Sequence, residues 1–388
     1  MMIFDFLLNS LKKKKGDKKV SVVKNMEYYN QAIESNPYDS NAYIHRALLK
    51  IQNGDTDGAM KDFDRAIGLH PDEALAYNNR GLLKSQMNDI EGAMADYDDA
   101  IRLSPGFVLA FYNRGVLRNR IGDFAGAIKD YDKTIELDSN FASAYCHRGT
   151  IKAEMGDNDG AMNDFDMAIK KDSRHALSYC NRGKFRREQG DLKGAMKDYD
   201  KAIKLDPDYA LTYCNRGNLK SELNDYSGAM RDYDMAIERN PNDAVAFYCR
   251  GNLKSKLNDF DGAISEYSKA IELDSNFASA YYDRGIQKFY KNELEEAIKD
   301  IDISIKIEPN NAMAYISRGT LKLKVNDQTG ALADYNKAIE VEPDNALAYG
   351  NRAKFYQELA EKEEEPIKKE ELTQKAKDDE MKAKSLRR

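Results

Sequence analysis

Histidine, cysteine and carboxylate side chains supply most metal sites and nucleophilic centres, so their spacing decides whether the chain could do chemistry. None of these residue types forms a cluster with metal-ligand spacing, and the sequence has no glycine-rich phosphate loop. We therefore expect no catalytic residue, no metal site and no cofactor, and hence a protein that is not an enzyme. The four histidines are scattered along the chain: His45, His70, His147 and His175.

Three of the four cysteines, Cys146, Cys180 and Cys214, lie 34 residues apart, and the fourth is Cys249. In a stack of equivalent helical units, such residues lie about 8–10 Å apart, which is one helix-packing distance. A disulfide needs Cα atoms within about 7 Å of each other. We therefore expect small, partly buried thiols in a reducing, cytoplasmic location.

Asparagines recur with the same spacing and are the candidate binding groups. A side-chain amide both donates and accepts hydrogen bonds, so a row of amides can pair with an extended peptide backbone without reading its sequence. The same amides could instead bond neighbouring helices to each other, and the residues alone leave both interpretations open. The asparagines concerned are Asn79, Asn113, Asn181, Asn215, Asn218 and Asn252.

The spacing of these residues reflects a tandem repeat. Arginine recurs every 34 residues from Arg46 to Arg352, with no insertion or deletion. If the repeat starts at Ser40, this arginine is position 7, and nine full repeats run from residue 40 to residue 345. Position 20 is Ala and position 28 is Ile in all nine repeats, position 24 is aromatic in eight, and position 32 is Pro or Ser.

Each repeat predicts two helices. Apolar and small residues recur with helical spacing over positions 1 to 14. Position 15 is always Gly or Asn, the residues that best tolerate the left-handed conformation that ends a helix. Position 16 is Asp in eight repeats, which suits the N-cap of a second helix over about positions 17 to 31. One helix pair cannot bury both apolar faces, so neighbouring pairs must stack.

This pattern resembles the tetratricopeptide repeat family. The resemblance rests on the 34-residue period, Gly at position 8, Ala at positions 20 and 27, the aromatic residue at position 24 and Pro at position 32, and it covers about residues 24 to 360. It implies an all-α fold of the α-solenoid class, in which antiparallel helix pairs stack into a right-handed superhelix with a concave groove. Members of the family are mainly adaptors, co-chaperones and scaffolds, so the resemblance implies a protein that binds other proteins.

Two positions depart from the usual family pattern. Position 7 is Arg where the family usually has Leu, and position 11 is Lys or Arg where it usually has Tyr. Position 23 is acidic in all nine repeats, and position 25 is Asp in seven. We therefore predict a repeating ladder of Arg and Lys paired with Asp between helices. The alternative is a row of basic groups that binds anions.

In the family, positions 2, 5, 6, 9, 12 and 13 of the first helices line the concave groove. The resemblance thus implies that the six asparagines above face a ligand. Repeat eight (residues 278–311) places aromatic residues in the same positions, and we predict that this patch makes the main contact with a partner. Local variation in packing is the alternative. The aromatic residues concerned are Tyr282, Phe289 and Tyr290.

The two ends differ from the repeats. Residues 1–23 form an apolar and lysine-rich segment that we predict to cap the array. The alternative is an anchor at a membrane surface, formed by the apolar stripe and the lysines at 12–15. Residues 24–39 match a half-repeat with a second helix only, and residues 346–388 are predicted to hold a capping helix and a charged tail.

Composition excludes several classes of function. Charged residues make up 32% of the chain, the net charge is −6, and the two signs are mixed. Nucleic acid is not an expected partner because the chain has no basic stripe. No apolar run is long enough to span a membrane, and the N-terminus is a poor secretory signal.

These observations favour a cytoplasmic scaffold or adaptor that binds extended peptides or partner proteins. A membrane-surface organiser tethered by its N-terminus is one alternative, and a regulatory subunit of a separate enzyme is another. Self-association is also open, since a groove can bind the terminus of another copy.

Overall fold

The computed structural model describes residues 25–387, and within this range the chain forms α-helices and no β-strands. In each repeat, a first helix over positions 1 to 13 is joined by a three-residue turn to a second helix over positions 17 to 30. The second helix of each repeat packs against the first helix of its own repeat. The predicted all-α fold of the α-solenoid class is confirmed.

The chain divides into two compact units, and the first unit ends at Ser173. Its described helices are α1 (Met26–Ser35), α2 (Ser40–Gln52), α3 (Thr56–Leu69), α4 (Ala74–Gln86), α5 (Ile90–Leu103), α6 (Val108–Arg120), α7 (Phe124–Leu137), α8 (Ala142–Glu154) and α9 (Asn158–Lys171).

The second unit begins at Arg174. Its helices are α10 (Ala176–Glu188), α11 (Leu192–Leu205), α12 (Ala210–Glu222), α13 (Tyr226–Arg239), α14 (Ala244–Lys256), α15 (Phe260–Leu273), α16 (Ala278–Tyr290), α17 (Leu294–Ile307), α18 (Ala312–Lys324), α19 (Gln328–Val341), α20 (Ala346–Lys362) and α21 (Pro366–Leu386).

The turn inside each repeat has the predicted chemistry. Position 15 has a positive φ in all nine repeats, as in Gly122 (80°) and Asn224 (62°). The Asp at position 16 then accepts a hydrogen bond from the backbone N–H of position 19, as Asp225 does from Gly228 at 2.9 Å. In repeat eight this position is Glu293, whose side chain makes no capping bond. The sequence pattern thus predicted both the helix end and the cap.

Small residues allow the two helices of a repeat to approach closely. A Cβ atom added at Gly217 would lie 2.7 Å from the ring of Tyr233, and one added at Gly81 would lie 3.0 Å from the ring of Tyr97. The Ala at position 20 is fully buried in repeat after repeat, for example Ala195 and Ala229. Glycine at position 8 thus leaves room for the ring at position 24, although the first repeat combines Ala47 at position 8 with Phe63 at position 24.

The arginine at position 7 holds three helices together. Arg216 of α12 donates from Nε and Nη2 to the two carboxylate oxygens of Asp232 on α13, at 2.9 and 2.7 Å. Its Nη1 donates to Asp200 on α11 of the preceding repeat, at 2.7 Å. Lys220 lies 2.8 Å from the Asp232 carboxylate. This arrangement confirms the predicted ladder, which we call the ionic ladder.

The guanidinium groups of the ionic ladder also lie over the aromatic ring at position 4 of the same helix. All ten arginines from Arg46 to Arg352 do so, with 5.4–5.8 Å between the guanidinium carbon and the ring centroid. Such a contact adds cation–π attraction to the ion pair. With carboxylates on its edges and a ring on one face, each guanidinium is committed to packing, which argues against an anion-binding row.

The ionic ladder continues to the C-terminal end of the described chain. Arg352 of α20 pairs through Nε and Nη2 with the carboxylate of Asp379 on α21, at 2.7 and 2.8 Å. Ala376 and Ala383 are buried on the same helix. The separation from Arg352 to Asp379 is 27 residues instead of 16, so the sequence repeat conceals the match. Residues 366–386, which we expected to be mainly a charged tail, therefore form a helix that packs on α20.

None of the helices between residues 25 and 387 is both long enough and apolar enough to cross a membrane. The segment for which we predicted a cap or a membrane-surface anchor, residues 1–23, lies outside the described residues.

We predict that Asp232→Asn lowers the free energy of unfolding by about 3 kcal/mol, because it leaves Arg216 and Lys220 without their buried counter-charge. The matched change Asp234→Asn, two residues along α13, should cost less than about 1 kcal/mol, because that side chain is 54% exposed although it pairs with Arg250. Urea unfolding followed by circular dichroism measures both values. Equal effects of the two substitutions would contradict a structural role for the buried acid.

Candidate ligand groove

The first helices of each unit form a layer of their own. In the first unit α4 contacts α6 and α6 contacts α8, while in the second unit α10 contacts α12, α12 contacts α14, and α18 contacts α20. We call the surface made by positions 2, 5, 6, 9, 12 and 13 of these helices the first-helix face.

Two of the predicted groove asparagines, Asn79 and Asn113, are only 2% and 3% exposed. Asn113 donates a hydrogen bond to the side chain of Asn78, at 3.0 Å, and Asn78 donates to Asn79 at 3.3 Å. These amides bond α4 to α6 and are not available to a peptide backbone. For this pair our assignment to the ligand groove is corrected: a buried polar group must find a partner inside the protein, and here it does.

Asn181 and Asn215, at the same position in later repeats, are half-buried. Asn215 donates to the sulfur of Cys180 at 3.5 Å. All four cysteines are buried free thiols, and burial raises the pKa of the Cys249 thiol to about 11. Thiols of this kind are protonated at neutral pH and poor nucleophiles. Within residues 25–387, no group of His, Cys, Asp and Glu side chains is arranged to hold a metal ion.

Asn218 and Asn252, at position 9, have a different partner. Each accepts a hydrogen bond through Oδ1 from the hydroxyl of the tyrosine at position 24, Tyr233 and Tyr267 respectively, at 2.7 Å. Each of these tyrosine rings is buried. A hydroxyl without a partner inside the protein would therefore lose the hydrogen bonds that it makes to water in the unfolded chain. The amides therefore provide an acceptor for the buried tyrosine hydroxyls. They also reach the first-helix face, where Asn252 is exposed.

Sequence reasoning missed this pairing of positions 9 and 24. Where position 9 has no suitable acceptor, as with Val116 and Lys184, the buried hydroxyls of Tyr131 and Tyr199 have no partner among the described residues. Where position 9 is Thr320, the hydroxyl of Tyr335 lies 3.3 Å from it. A joint inspection of the two positions across the repeats could have revealed the match.

A polar pocket of about 360 Å³ opens on the first-helix face of the second unit, over α10, α12 and α14. It contains both position-9 amides, Asn218 and Asn252. On its rim Arg187 pairs with Glu222 at 2.9 Å, and Lys256 donates to the backbone oxygen of Ser221 at 3.0 Å. A larger depression of about 490 Å³ lies over the turn at residues 308–311 and contains none of the predicted groove residues.

Repeats seven and eight together form an aromatic patch, which we define as Phe260, Phe289 and Tyr290. Tyr290 is 61% exposed and stacks on Phe260 with ring centroids 5.4 Å apart. Phe289 lies 5.6 Å from Tyr290, and the ammonium of Lys324 lies 5.5 Å above the Phe289 ring. Tyr282 is half-buried and its hydroxyl is 2.9 Å from that of Ser317. The three residues predicted here therefore lie on one helix, and Tyr290 is the most accessible.

Asp283, the neighbour of Tyr282, was not singled out in the sequence. It occupies position 6, where other repeats carry Asn, His, Ser or Cys. Its Oδ2 accepts a hydrogen bond from the hydroxyl of Tyr248 at 2.6 Å. Burial raises the pKa of the Asp283 carboxyl, and the hydrogen bond from Tyr248 opposes that effect. No Lys, Arg or His among the described residues forms an ion pair with it.

Family comparisons identify the repeat. Sequence models described as tetratricopeptide repeat or TPR repeat match residues 44–105, 78–140, 183–223, 210–243, 233–265 and 251–286. Together these matches span more than half of the 388 residues. A search of curated proteins returned no match.

The solved structures that this chain resembles have low sequence identity to it. A tetratricopeptide repeat protein from Parabacteroides merdae is 17% identical, with a TM-score of 0.54 over 64% of this chain and 98% of its own. Yeast Tom70 is also 17% identical, with a TM-score of 0.51 over 92% of each chain. YrrB, described as a TPR protein with an unusual peptide-binding site, is 27% identical over 47% of this chain and 95% of its own, with a TM-score of 0.38.

We predict that Asp283→Asn raises the free energy of unfolding at pH 7. The pKa of Asp283 is raised in the folded protein. Ionisation of its carboxyl therefore costs more free energy in the folded protein than in the unfolded chain, and this lowers the stability. This loss of stability is complete at pH values above the pKa of Asp283 in the folded protein. It disappears at pH values below the pKa of an aspartate in the unfolded chain, about 3.9. The tyrosine hydroxyls that face Asp283, on Tyr248, Tyr267 and Tyr282, do not titrate in this range.

Urea unfolding of both proteins at pH 7 and pH 4 tests this prediction, and the advantage of the variant should shrink at pH 4. Glu295→Gln is the control, because Glu295 is an exposed acid of the same repeat. A variant less stable than the wild type at pH 7 would show that Asp283 contributes to folding.

Proposed function

Because the chain belongs to the tetratricopeptide repeat family, we propose that it is a scaffold that holds an extended peptide or a protein partner against the first-helix face. Repeats of this family are protein-interaction modules. The finer proposal concerns the place of contact, the first-helix face of the second unit from the polar pocket to the aromatic patch.

The observation that carries this proposal is the exposure of the aromatic patch. Tyr290 keeps 61% of its surface in contact with solvent, although it stacks on Phe260. Exposed aromatic rings held in place by their neighbours are typical of the residues that dominate binding energy in protein interfaces. Apolar residues at position 2 extend the surface, since Val245 and Met313 are 45% and 42% exposed.

The polar pocket supplies directional contacts beside this apolar surface. The tyrosine hydroxyl bonded to Oδ1 fixes the orientation of the Asn218 and Asn252 amides. The groove asparagines that we retain are these two together with Asn181 and Asn215. An amide whose orientation is fixed loses little conformational entropy when it binds, so it favours pairing with a peptide backbone.

A selection from a library of random linear peptides tests the proposal with the purified full chain. We expect the wild type to enrich a peptide family, and the double change Phe289→Ala with Tyr290→Ala to weaken the best peptide about 30-fold or more, the loss typical of an interface hot spot. Isothermal titration calorimetry measures the affinity, and circular dichroism checks that helicity is kept.

Ile367→Ala with Met381→Ala is the matched control, because these two apolar residues are 70% and 60% exposed on α21, away from the first-helix face. The control should bind as the wild type does. If the wild type enriches no peptide, the proposal of a peptide-binding face is wrong. If both double variants bind equally well, the contact lies elsewhere on the chain.

A further inference from the structure

Asp283 differs from the other acids packed inside the array. Each acid at position 23 is buried against both an arginine and a lysine or arginine, as Asp300 is against Arg284 and Lys288 at 2.7 Å each. Asp283 is half-buried in the same repeat and has no ion pair among the described residues; its single hydrogen-bond partner there is Tyr248. Burying a carboxylate without a counter-charge costs free energy. Asp283 therefore lacks the ion-pair partner that the other packed acids have.

Asp283 accepts one hydrogen bond within the described part of the chain. The hydroxyl of Tyr248 donates to its Oδ2 at 2.6 Å. A hydroxyl donor favours the ionised form of the carboxylate that accepts its hydrogen bond. No hydrogen bond to the second carboxylate oxygen, Oδ1, occurs among residues 25–387, and the residue as a whole is only half-buried.

We propose that Asp283 is the anchor for a cationic side chain, an arginine or a lysine, of the segment that binds the first-helix face. This inference rests on the proposed function and names the chemistry of the ligand. The missing counter-charge is supplied by the partner, which reaches the open Oδ1 from the solvent side while Tyr248 holds Oδ2.

The surroundings suit a cation with an apolar stem. Tyr248 contacts Asp283 through its hydroxyl, Tyr282 precedes Asp283 in α16, and Phe289 and Tyr290 lie further along the same helix. Aromatic faces attract ammonium and guanidinium groups, and this repeat already holds the Lys324 ammonium 5.5 Å above Phe289. An arginine or lysine has a methylene stem that packs on such rings while its charged head reaches a carboxylate.

The fold does not need a negative charge at this position. Position 6 is Asn in four of the nine repeats, among them those of Asn181 and Asn215, and these repeats form the same helix pair. An asparagine at 283 would accept the hydrogen bond from Tyr248 just as well. What Asp283 adds over asparagine is therefore a charge, and a charge at a solvent-accessible site is useful for recognising an opposite charge.

The test uses the peptides selected from the random library in the preceding experiment. We expect the wild-type pool to carry an arginine or lysine at a fixed distance from its apolar residues, and a pool selected on Asp283→Asn to lack that preference. For the best wild-type peptide, replacing the basic residue by neutral citrulline or norleucine should weaken binding to the wild type about tenfold or more.

The same replacement should have little effect on Asp283→Asn, because the charge that it would meet is gone. Such a double-mutant cycle isolates the coupling between the two groups from other effects of each change. Glu295→Gln is the matched control, since Glu295 is an exposed acid of the same repeat that lies on α17, outside the first-helix face. The control should keep the full preference, which excludes general attraction to a chain of net charge −6.

Three results would overturn the inference. The first is a wild-type pool without basic residues, which leaves the peptide-binding face intact but removes the cation. The second is an undiminished preference in Asp283→Asn, and the third is an equal loss in Glu295→Gln. A wild type that selects no peptide would refute the proposed function itself, and this inference with it.

Discussion

The bidentate pair between the arginine at position 7 and the acid at position 23 is the interaction on which the rest of the structure depends. The acid is buried to a few per cent exposure, so it can be there only because two cations neutralise it. The arginine is in turn held over a ring and reaches the preceding repeat through Nη1. Each of these arginine–acid pairs therefore fixes the angle between the two helices of a repeat. It also fixes the contact, or seam, between that repeat and the preceding one. In a quasi-one-dimensional array, stability is the sum of such local and nearest-neighbour terms.

Most of the fold followed from residues that repeat with the period. Gly122 and Asn224 predicted the left-handed turn, Asp225 predicted the cap, and the common period of Arg216 and Asp232 predicted their pairing. These features are local, or they join elements at a constant separation, so one sequence suffices to reveal them. The pairing of Arg352 with Asp379 was not predicted, because an insertion lengthens the sequence separation between the arginine and its acid.

The candidate site was harder to predict for a physical reason. Asn79 and Asn218 share a residue type, yet one is sealed between helices and the other reaches the surface. Which of the two occurs depends on the neighbours at other positions, such as Asn78 beside the first and Tyr233 beneath the second. Asp283 was missed because a single acid among many carries no periodic signal, and only the absence of a counter-charge around it makes it distinctive. Phe289 and Tyr290 were found because aromatic residues at those positions break the pattern.

Repeat eight also departs from the others in its core. Gln287 stands where other repeats have Leu, Ile or Phe, and its Oε1 is buried without a partner among the described residues. The hydroxyl of Ser304 is also buried without a hydrogen-bond partner among the described residues. Polar atoms left unbonded in a core weaken it. The repeat that presents Phe289 and Tyr290 thus also has two buried polar atoms without a partner among the described residues.

The second contact of the position-7 arginine gives the array an uneven mechanical strength. Arg216 and Arg318 each reach an aspartate of the preceding repeat, whereas Arg284 reaches Ser268 and Arg352 reaches Asn336, both neutral. A seam held by a neutral hydrogen bond resists separation less than one held by an ion pair. The seam before repeat eight has further support, because Tyr290 stacks on Phe260 and Lys291 pairs with Asp261 across it. Under a stretching force, we therefore expect the second unit to part first at the seam that Arg352 bridges. The second unit would then behave less like a uniform spring than like a stiff block with one weaker joint.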